Sequence, residues 1–401
     1  MDPEHRPSQR LGADLCITPQ TFYSALMLFL LLLVGVYAMV LVRSWIAWRK
    51  LKSPSLTAET PPVFFSVILP VRNEARNILS LLQDLEWQQY PSSQYEVIVV
   101  DDHSEDGTPE LVRQFQQQSN MNLSLLFLSH FPGKRQKKAA VETGIRHAKG
   151  EWIACTDGDC HVSPQWLAAL NQVRHEQQPQ LISGPVSFAP VATVWQQLQA
   201  LEFSALIAMG AASIAVRKPT MCNGANIAYS KSAFLDVNGF QGNEQVPSGD
   251  DEFLLHKIHR RYPGQIAFAK GKEALVETPA SDSIRHFLHQ RIRWASKWRH
   301  YDSYFSQVLA LIVMGGNLAV LSALIAALAG WWPWWFLGIV LTTKMGADTL
   351  LLWEILGLFG KKRLLSLLWL LQLVYVPYML FTAILGLRGQ YHWKGRQLKT
   401  A

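Results

Sequence analysis

Charge-free runs and short alternating segments divide the chain. Three long stretches carry no charge: Leu15–Val42, Ser303–Thr343 and Leu364–Leu387. Each exceeds the ~18–20 apolar residues that span a bilayer. Between the first and second, residues 61–300 alternate short apolar runs with helically spaced ones, the pattern of a soluble domain. "FFSVILPV" (64–71) predicts a buried strand, and "NEARNILSLLQDLEWQQY" (73–90) a helix capped by Asn73. "YEVIVVDD" (95–102) predicts a second strand followed by a helix from Pro109, and "LSLLFL" (123–128) a third strand. "GKRQKKAAVETGIRHAKG" (133–150) reads as a loop and a helix ended by Gly150, and "EWIACTD" (151–157) as a fourth strand. Strands alternating with helices imply an α/β fold, a doubly wound parallel sheet that binds ligands beyond the carboxyl ends of its strands. Three polar clusters fall at such ends, Arg72–Glu74, Asp101–His103 and Asp157–Asp159, and are expected to converge on one crevice. "SGDDEFLLHKI" (248–258) opens an amphipathic helix. "HQRIRWASKWRHY" (289–301) is a basic helix with Phe287, Trp294, Trp298 and Tyr301 at helical spacing, suited to lie on a bilayer before the next span.

Composition supports a membrane protein. Of 401 residues, 49% are hydrophobic and 17% charged, against about 25% charged in soluble domains. The net charge of +7 is concentrated beside the apolar runs, as at Arg43, Arg49, Lys50 and Lys52, so it gives no support to a nucleic-acid partner. By the positive-inside rule the N-terminus lies outside and the middle domain in the cytoplasm. The expected location is the bacterial inner (plasma) membrane, with the first run an anchor that stays. The four cysteines form no C-x-x-C pair, so neither a zinc site nor a disulfide framework is indicated.

The candidate chemistry lies in carboxylates. Asp157 and Asp159 flank Gly158, either as a polar turn or as a clamp for a hard divalent cation. Lys134, Arg135, Lys137 and Lys138 suit phosphates or a solvated helix face. Asp101 and Asp102 end a strand beside a turn-forming Asp106-Gly107. Asp250 and Asp251 open a helix, where they either cap it or serve as a general base for an acceptor hydroxyl. Gln290, Arg293 and Trp294 offer donors and a stacking plane for sugar and phosphate.

The segments "VILPVRNE", "VIVVDDHSEDGT", "GKRQKKAA", "DGDC", "GANIAYSKSAF", "SGDDEFL" and "QRIRW" follow one another in the order seen in family 2 glycosyltransferases. Over residues 64–300 the chain resembles the membrane-bound branch that includes cellulose and hyaluronan synthases and ceramide glucosyltransferase. The resemblance implies a GT-A fold and inverting transfer from a nucleotide sugar, a UDP-sugar. It implies that Asp102 reads the uracil, that Pro70 and Glu74 line the nucleotide pocket, and that Asp157 lies near the sugar and ribose. Asp159 would be the ligand of a divalent metal, Mg2+ or Mn2+, with Asp157 beside it. Lys137 and Arg293 would face the diphosphate. Asp251 matches the base of the T-E-D motif, but the triplet here is Gly249-Asp250-Asp251, so Asp250 stands as the alternative. Gln290, Arg293 and Trp294 match Q-x-x-R-W in full, with Gln290 and Trp294 on the acceptor side.

The expected organisation is an N-terminal tail (1–20), a transmembrane helix (21–43), a linker (44–63), the GT-A domain (64–284), an amphipathic interfacial helix (285–302), C-terminal membrane helices (303–388) and a basic tail (389–401). "WWPWW" (331–335) divides the second run into two helices. Lys344 and Asp348, four apart, are expected to face a bundle interior. Three crossings after the domain place the C-terminus outside, whereas the basic tail prefers inside. A re-entrant or interfacial element reconciles them, either the run holding Pro377 or the polar stretch 344–354. So few spans favour a lipid acceptor over a processive synthase extending a glycan. A non-catalytic nucleotide-sugar-binding membrane protein is the remote alternative.

Overall fold

In the computed structural model, residues 19–56, 60–242, 249–296, 303–386, 390–393 and 396–399 are described. A long apolar helix, α1 (Pro19–Lys50), leads into the α/β domain. There β1 (Phe65–Val71), α2 (Ile78–Glu86), β2 (Tyr95–Asp101), α3 (Thr108–Gln118), β3 (Leu123–Phe127), α4 (Gln136–His147) and β4 (Trp152–Cys155) follow the predicted alternation. The helix predicted from Asn73 begins five residues later, at Ile78 after Asn77. Asn73 instead adopts a left-handed turn (φ 53°) and its Oδ1 accepts from the Glu105 amide at 2.9 Å. The link to the neighbouring loop takes precedence over capping.

The domain continues with β5 (His161–Val162), α5 (Trp166–Gln177), β6 (Leu181–Ser183), β7 (Val186–Phe188), α6 (Val194–Ala215), β8 (Ile227–Ser230), α7 (Lys231–Asp236), α8 (Asp250–Arg261), β9 (Ile266–Phe268), β10 (Val276–Thr278) and α9 (Ile284–Ser296). The main sheet has the order β3-β2-β1-β4-β8-β6-β9. Its first four strands are parallel and β8 is antiparallel to both neighbours, so the sheet is mixed. Alternating residues pack opposite faces: Val67, Leu69, Val97 and Val99 on one, and Ile68, Ile98 and Val100 on the other. A smaller sheet, β5-β10-β7, lies beside it.

Beyond α9, α10 (Tyr304–Leu328) and α11 (Trp334–Leu358) flank the Trp-rich break as expected and pack with α1. A 3-10 turn (Lys362–Leu367), α12 (Leu368–Gly386) and a hairpin of β11 (Gln390–Trp393) and β12 (Arg396–Lys399) follow. The basic tail thus contains a two-stranded hairpin. Trp298 and Tyr301 of the predicted basic helix lie outside the described residues.

Among the described residues, five helices are long and apolar enough to cross a membrane: α1, α6, α10, α11 and the segment containing α12. Connectivity sorts them. Both ends of α6 join strands of the domain, β7 and β8, and α6 packs on β7 and β9 as well as on α1 and α11. It therefore lies along the domain. Tyr37, Leu41 and Trp48 of α1 and Leu351 and Ile355 of α11 belong to the same core as the sheet. The chain leaves the domain in α10 and returns in α11, since Lys361 bonds Ser187 Oγ (2.8 Å) and the Phe188 carbonyl (2.8 Å). From there α12 packs along α9 and ends in the hairpin, whose first strand also packs on α9. Both ends of α12 lie at the domain. Of the two candidates for a non-crossing element, the Pro377 run fits, whereas 344–354 is continuous helix within α11.

Lys344 and Asp348 pair inside the bundle at 2.8 Å. Gln372 of α12 bonds both (2.7 and 2.9 Å), and the Tyr37 hydroxyl donates to Asp348. Removing one member of a buried pair costs about 3–5 kcal/mol, while replacing both with apolar groups is often neutral. Lys344→Met is expected to lower the apparent melting temperature in detergent, and Lys344→Met/Asp348→Leu to restore much of it. A double variant no more stable than the single one contradicts the pairing.

Candidate active site

The parallel strands β1, β2 and β4 end on one side of the sheet, which brings the three predicted polar clusters together. Arg72 Nη1 donates to the carbonyls of Asp102 (2.8 Å) and His103. The Glu74 amide donates to Thr108 Oγ1 at 2.8 Å and the Ala75 amide to Asp106 Oδ2 at 3.0 Å, stitching the loops after β1 and β2. Asp102 is buried, with one oxygen 3.0 Å from His103 Nδ1 and the other accepting from the Gln136 amide at 3.2 Å. A Cβ at Gly158 would lie 2.9 Å from Glu74 Cγ and 3.0 Å from Val71 Cγ1, so the Asp157–Asp159 turn packs directly on the first loop.

Lys137, in the first turn of α4, joins these elements to α8. Its ammonium lies 2.6 Å from Asp157 and 3.5 Å from Asp250. Asp250 and Asp251 sit in the first turn of α8, after Gly249 in the left-handed region, where the helix dipole favours anions. Asp251 accepts from the Gly224 amide (2.8 Å) and the Glu252 amide (2.8 Å). A Cβ at Gly224 would lie 3.1 Å from Lys137 Nζ and 3.3 Å from Asp250 Oδ2, so glycine lets this loop approach the charges.

One cavity of about 730 Å³ holds every predicted site residue: Pro70, Glu74, Asp102, Lys137, Asp157, Asp159, Asp250, Asp251, Gln290, Arg293 and Trp294 all line it. The rest of the basic cluster does not join them. Lys134 pairs with Glu142 at 3.0 Å, and Lys138 lies over the Phe253 ring. The expected stacking plane is partly covered, since the Arg291 guanidinium occupies one face of Trp294 at 4.2 Å.

Sequence reasoning missed the apolar part of the lining. Phe203, Leu206, Ile207, Gly210 and Ala211 of α6 line the cavity with Met221. The available signal was the apolar stretch 194–215, whose one charge is Glu202.

The donor set fits a shared metal rather than a closed protein cage. Among the described residues no three His, Cys, Asp or Glu side chains form a group able to hold an ion. The Asp157 and Asp159 carboxylates suit a hard cation that takes its other ligands from a bound anion. The neighbouring cysteines are buried as thiols. Burial pushes the Cys155 thiol up to about 12 and the Cys160 thiol well above its usual value.

Residues 66–235 match the family model "Glycosyl transferase family 2", and residues 152–387 match "Glycosyl transferase family group 2". Among curated relatives, glycosyltransferase AglE of Haloferax volcanii is 46% identical over 104 residues, 26% of this chain and 33% of AglE. A dolichyl-phosphate β-glucosyltransferase of Trichomonas vaginalis is 30% identical over 107 residues, 25% of this chain and 32% of that protein. The chain thus spans about a third of these two relatives. A poly-β-1,6-N-acetyl-D-glucosamine synthase of Staphylococcus epidermidis is 23% identical over 235 residues, 57% of this chain and 53% of the synthase. The fold is shared with the mannosyltransferase PcManGT of Pyrobaculum calidifontis, solved with GDP-Man and Mn2+ (TM-score 0.59, 19% identity, 90% of this chain and 97% of that one).

Burial opposes the charge on Lys137, but Asp157 and then Asp250 outweigh it and hold its pKa well above the usual lysine value. A pKa raised on folding gives stability that is complete below the unfolded value of about 10.4 and lost only as pH rises through the folded one. At neutral pH the contribution is therefore at full strength. Lys137→Met is expected to lower the apparent melting temperature near pH 7.5, and Lys137→Arg, which keeps the positive charge, to lower it less. Equal losses in the two variants contradict charge balance by the ammonium.

Proposed function

The chain belongs to the family 2 glycosyltransferases, and from that premise we propose that it moves a sugar, with inversion, from a UDP-sugar to the hydroxyl of a membrane lipid. The observation that carries this reading is the mixed lining of one cavity, which joins carboxylates and strand-end loops to an apolar stretch of α6. The charged lining suits a nucleoside diphosphate, and the apolar lining suits an acceptor with alkyl chains. The packing of α6 against α1 and α11 brings that stretch close to the membrane helices.

Within this reading, Asp102, Pro70 and Glu74 take the nucleotide, while Lys137 and Arg293 face its diphosphate. Asp157 and Asp159 would hold Mg2+ or Mn2+, which when bound stabilises the negative charge gathering on the leaving diphosphate. Asp251 removes the acceptor hydroxyl proton as that oxygen attacks the anomeric carbon opposite the leaving group, which inverts the centre. The Gly224 and Glu252 amides donate to this carboxylate and fix its orientation. Gln290 and Trp294 serve the acceptor side. The domain lies on the cytoplasmic face of the bacterial inner membrane, as the basic residues after the first span favour. The dolichyl-phosphate relative acts on a lipid-linked acceptor by its name. The synthase relative supports the processive alternative, but the bundle of α1, α10 and α11 leaves little wall for a polymer channel within one chain.

Asp251→Asn keeps shape but accepts no proton, and is expected to lower kcat by about 10²-fold or more while nucleotide binding persists. If Asp250→Asn has this effect and Asp251→Asn does not, the base is Asp250. The acceptor class is tested by incubating the purified protein and its membranes with a panel of radiolabelled nucleotide sugars and extracting with organic solvent. Label is expected in a small glycolipid, and a long solvent-insoluble polymer overturns the lipid assignment.

A further inference from the structure

We propose that Glu202, Arg291 and Tyr378 are positioning residues, acting together to fix the face of α9 that carries Gln290, Arg293 and Trp294. The proposal rests on the glycosyltransferase reading and extends it to side chains that touch no substrate.

Gln290, Arg293 and Trp294 of α9 line the active-site cavity. Phe287 and Arg291 adjoin them on the helix surface and are buried, Phe287 against Trp195 of α6 and Tyr378 of α12 and Arg291 against Glu202 of α6. Arg291, 5% exposed, donates from Nη2 to Glu202 Oε2 at 2.8 Å. Its guanidinium lies over the rings of Phe287 (4.6 Å) and Trp294 (4.2 Å), and Nη1 donates to Gln290 Oε1 at 3.2 Å. One buried cation thus touches two of the three site residues on this helix. The second Glu202 oxygen accepts from the Tyr378 hydroxyl of α12. Phe203, next to Glu202, meets the Trp294 ring at 5.9 Å.

The same edge of α6 grips the start of α9. Gln199 donates to the Ser281 carbonyl (2.9 Å) and accepts from the Ser281 amide (3.0 Å), and Trp195 Nε1 donates to the same carbonyl at 3.0 Å. Residues 195, 199 and 202 lie on one helical face, so one stripe of α6 sets both the origin and the rotation of α9.

A buried ion pair is weak evidence for stability, since apolar residues of similar volume often serve as well. What it provides here is direction. The planar guanidinium fits a carboxylate along a fixed fork and stacks on flat rings, which an ammonium does not do. Rotation of α9 would move Gln290 and Trp294 together, and misplacement by about 1 Å can cost about 10²-fold in rate. Because Tyr378 belongs to α12, the assembly also ties the site to the element that ends in the C-terminal hairpin.

The test uses the full chain in detergent or nanodiscs, with Arg291→Lys, which keeps the charge but loses the fork and the stack, and Tyr378→Phe, which loses one hydroxyl. Three readouts are taken: affinity for UDP and for GDP with Mn2+, the rate of sugar transfer, and hydrogen exchange of the 284–296 peptide. Nucleotide affinity is expected to fall by no more than about fivefold, because the sheet-end loops and Lys137 hold most of the nucleotide and Arg293 is its one contact on α9. Transfer is expected to fall about 10²-fold in Arg291→Lys and about tenfold in Tyr378→Phe, with faster exchange confined to 284–296. A wild-type rate in Arg291→Lys overturns the proposal, as does unchanged exchange in 284–296. So does loss of nucleotide affinity in parallel with transfer and faster exchange across the whole domain, the mark of a merely structural role. A wild-type protein that binds neither nucleotide and transfers nothing instead overturns the transferase reading, and exchange in 284–296 still decides whether Arg291 holds α9.

Discussion

Carboxylates from two distant parts of the chain meet around the ammonium of Lys137, which offsets their repulsion. Asp157 follows β4, while Asp250 and Asp251 begin α8. Like charges gathered out of bulk water repel, and that repulsion grows as the surroundings become less polar. The ammonium at 2.6 Å from Asp157 and 3.5 Å from Asp250 offsets it. The placement of other elements follows from this contact. The start of α4 must reach the end of β4, α8 must point its first turn inward, and the 222–225 loop must pass close to both charges, where a Cβ at 224 would lie 3.1 Å from Lys137 Nζ.

A second dependence runs from the domain to the membrane helices. Side chains of α1 and α11 are part of the core that supports the sheet, so the domain and the bundle form one folding unit there. Helix α6 touches both, lining the active-site cavity and packing on α1 and α11. On the proposed reading, transfer in this cavity would take place beside helices long and apolar enough to cross a membrane, where an acceptor with alkyl chains would be available.

Much of this was legible in the sequence because it follows local rules. Strand and helix alternation, polar residues at strand ends and the break at 331–335 depend on spacing alone, and all reappear in the structure. Asn73 was misread because its side chain serves a loop more than thirty residues away. Helix α6 was overlooked because it is apolar nearly all round and shows no amphipathic stripe, as expected of a helix buried on several sides. Such a helix is read as neither a domain helix nor, with Glu202 in its middle, a plain membrane span. The pairings of Glu202 with Arg291 and with Tyr378 span 89 and 176 positions, and no periodicity in one chain announces contacts of that range. The conflict between three crossings and a basic tail was visible in the sequence, whereas the packing of α12 along α9 was not.

On the reading proposed above, the chain would supply half of a metal site through Asp157 and Asp159, and a nucleoside diphosphate the other half. The most direct measurement is electron paramagnetic resonance of Mn2+ titrated into the purified protein, with and without UDP or GDP. The free-ion signal is predicted to disappear at stoichiometric protein only when a nucleotide is present, and to persist in Asp159→Ala. Equally tight Mn2+ binding without nucleotide, or undiminished nucleotide-dependent binding in Asp159→Ala, would contradict it.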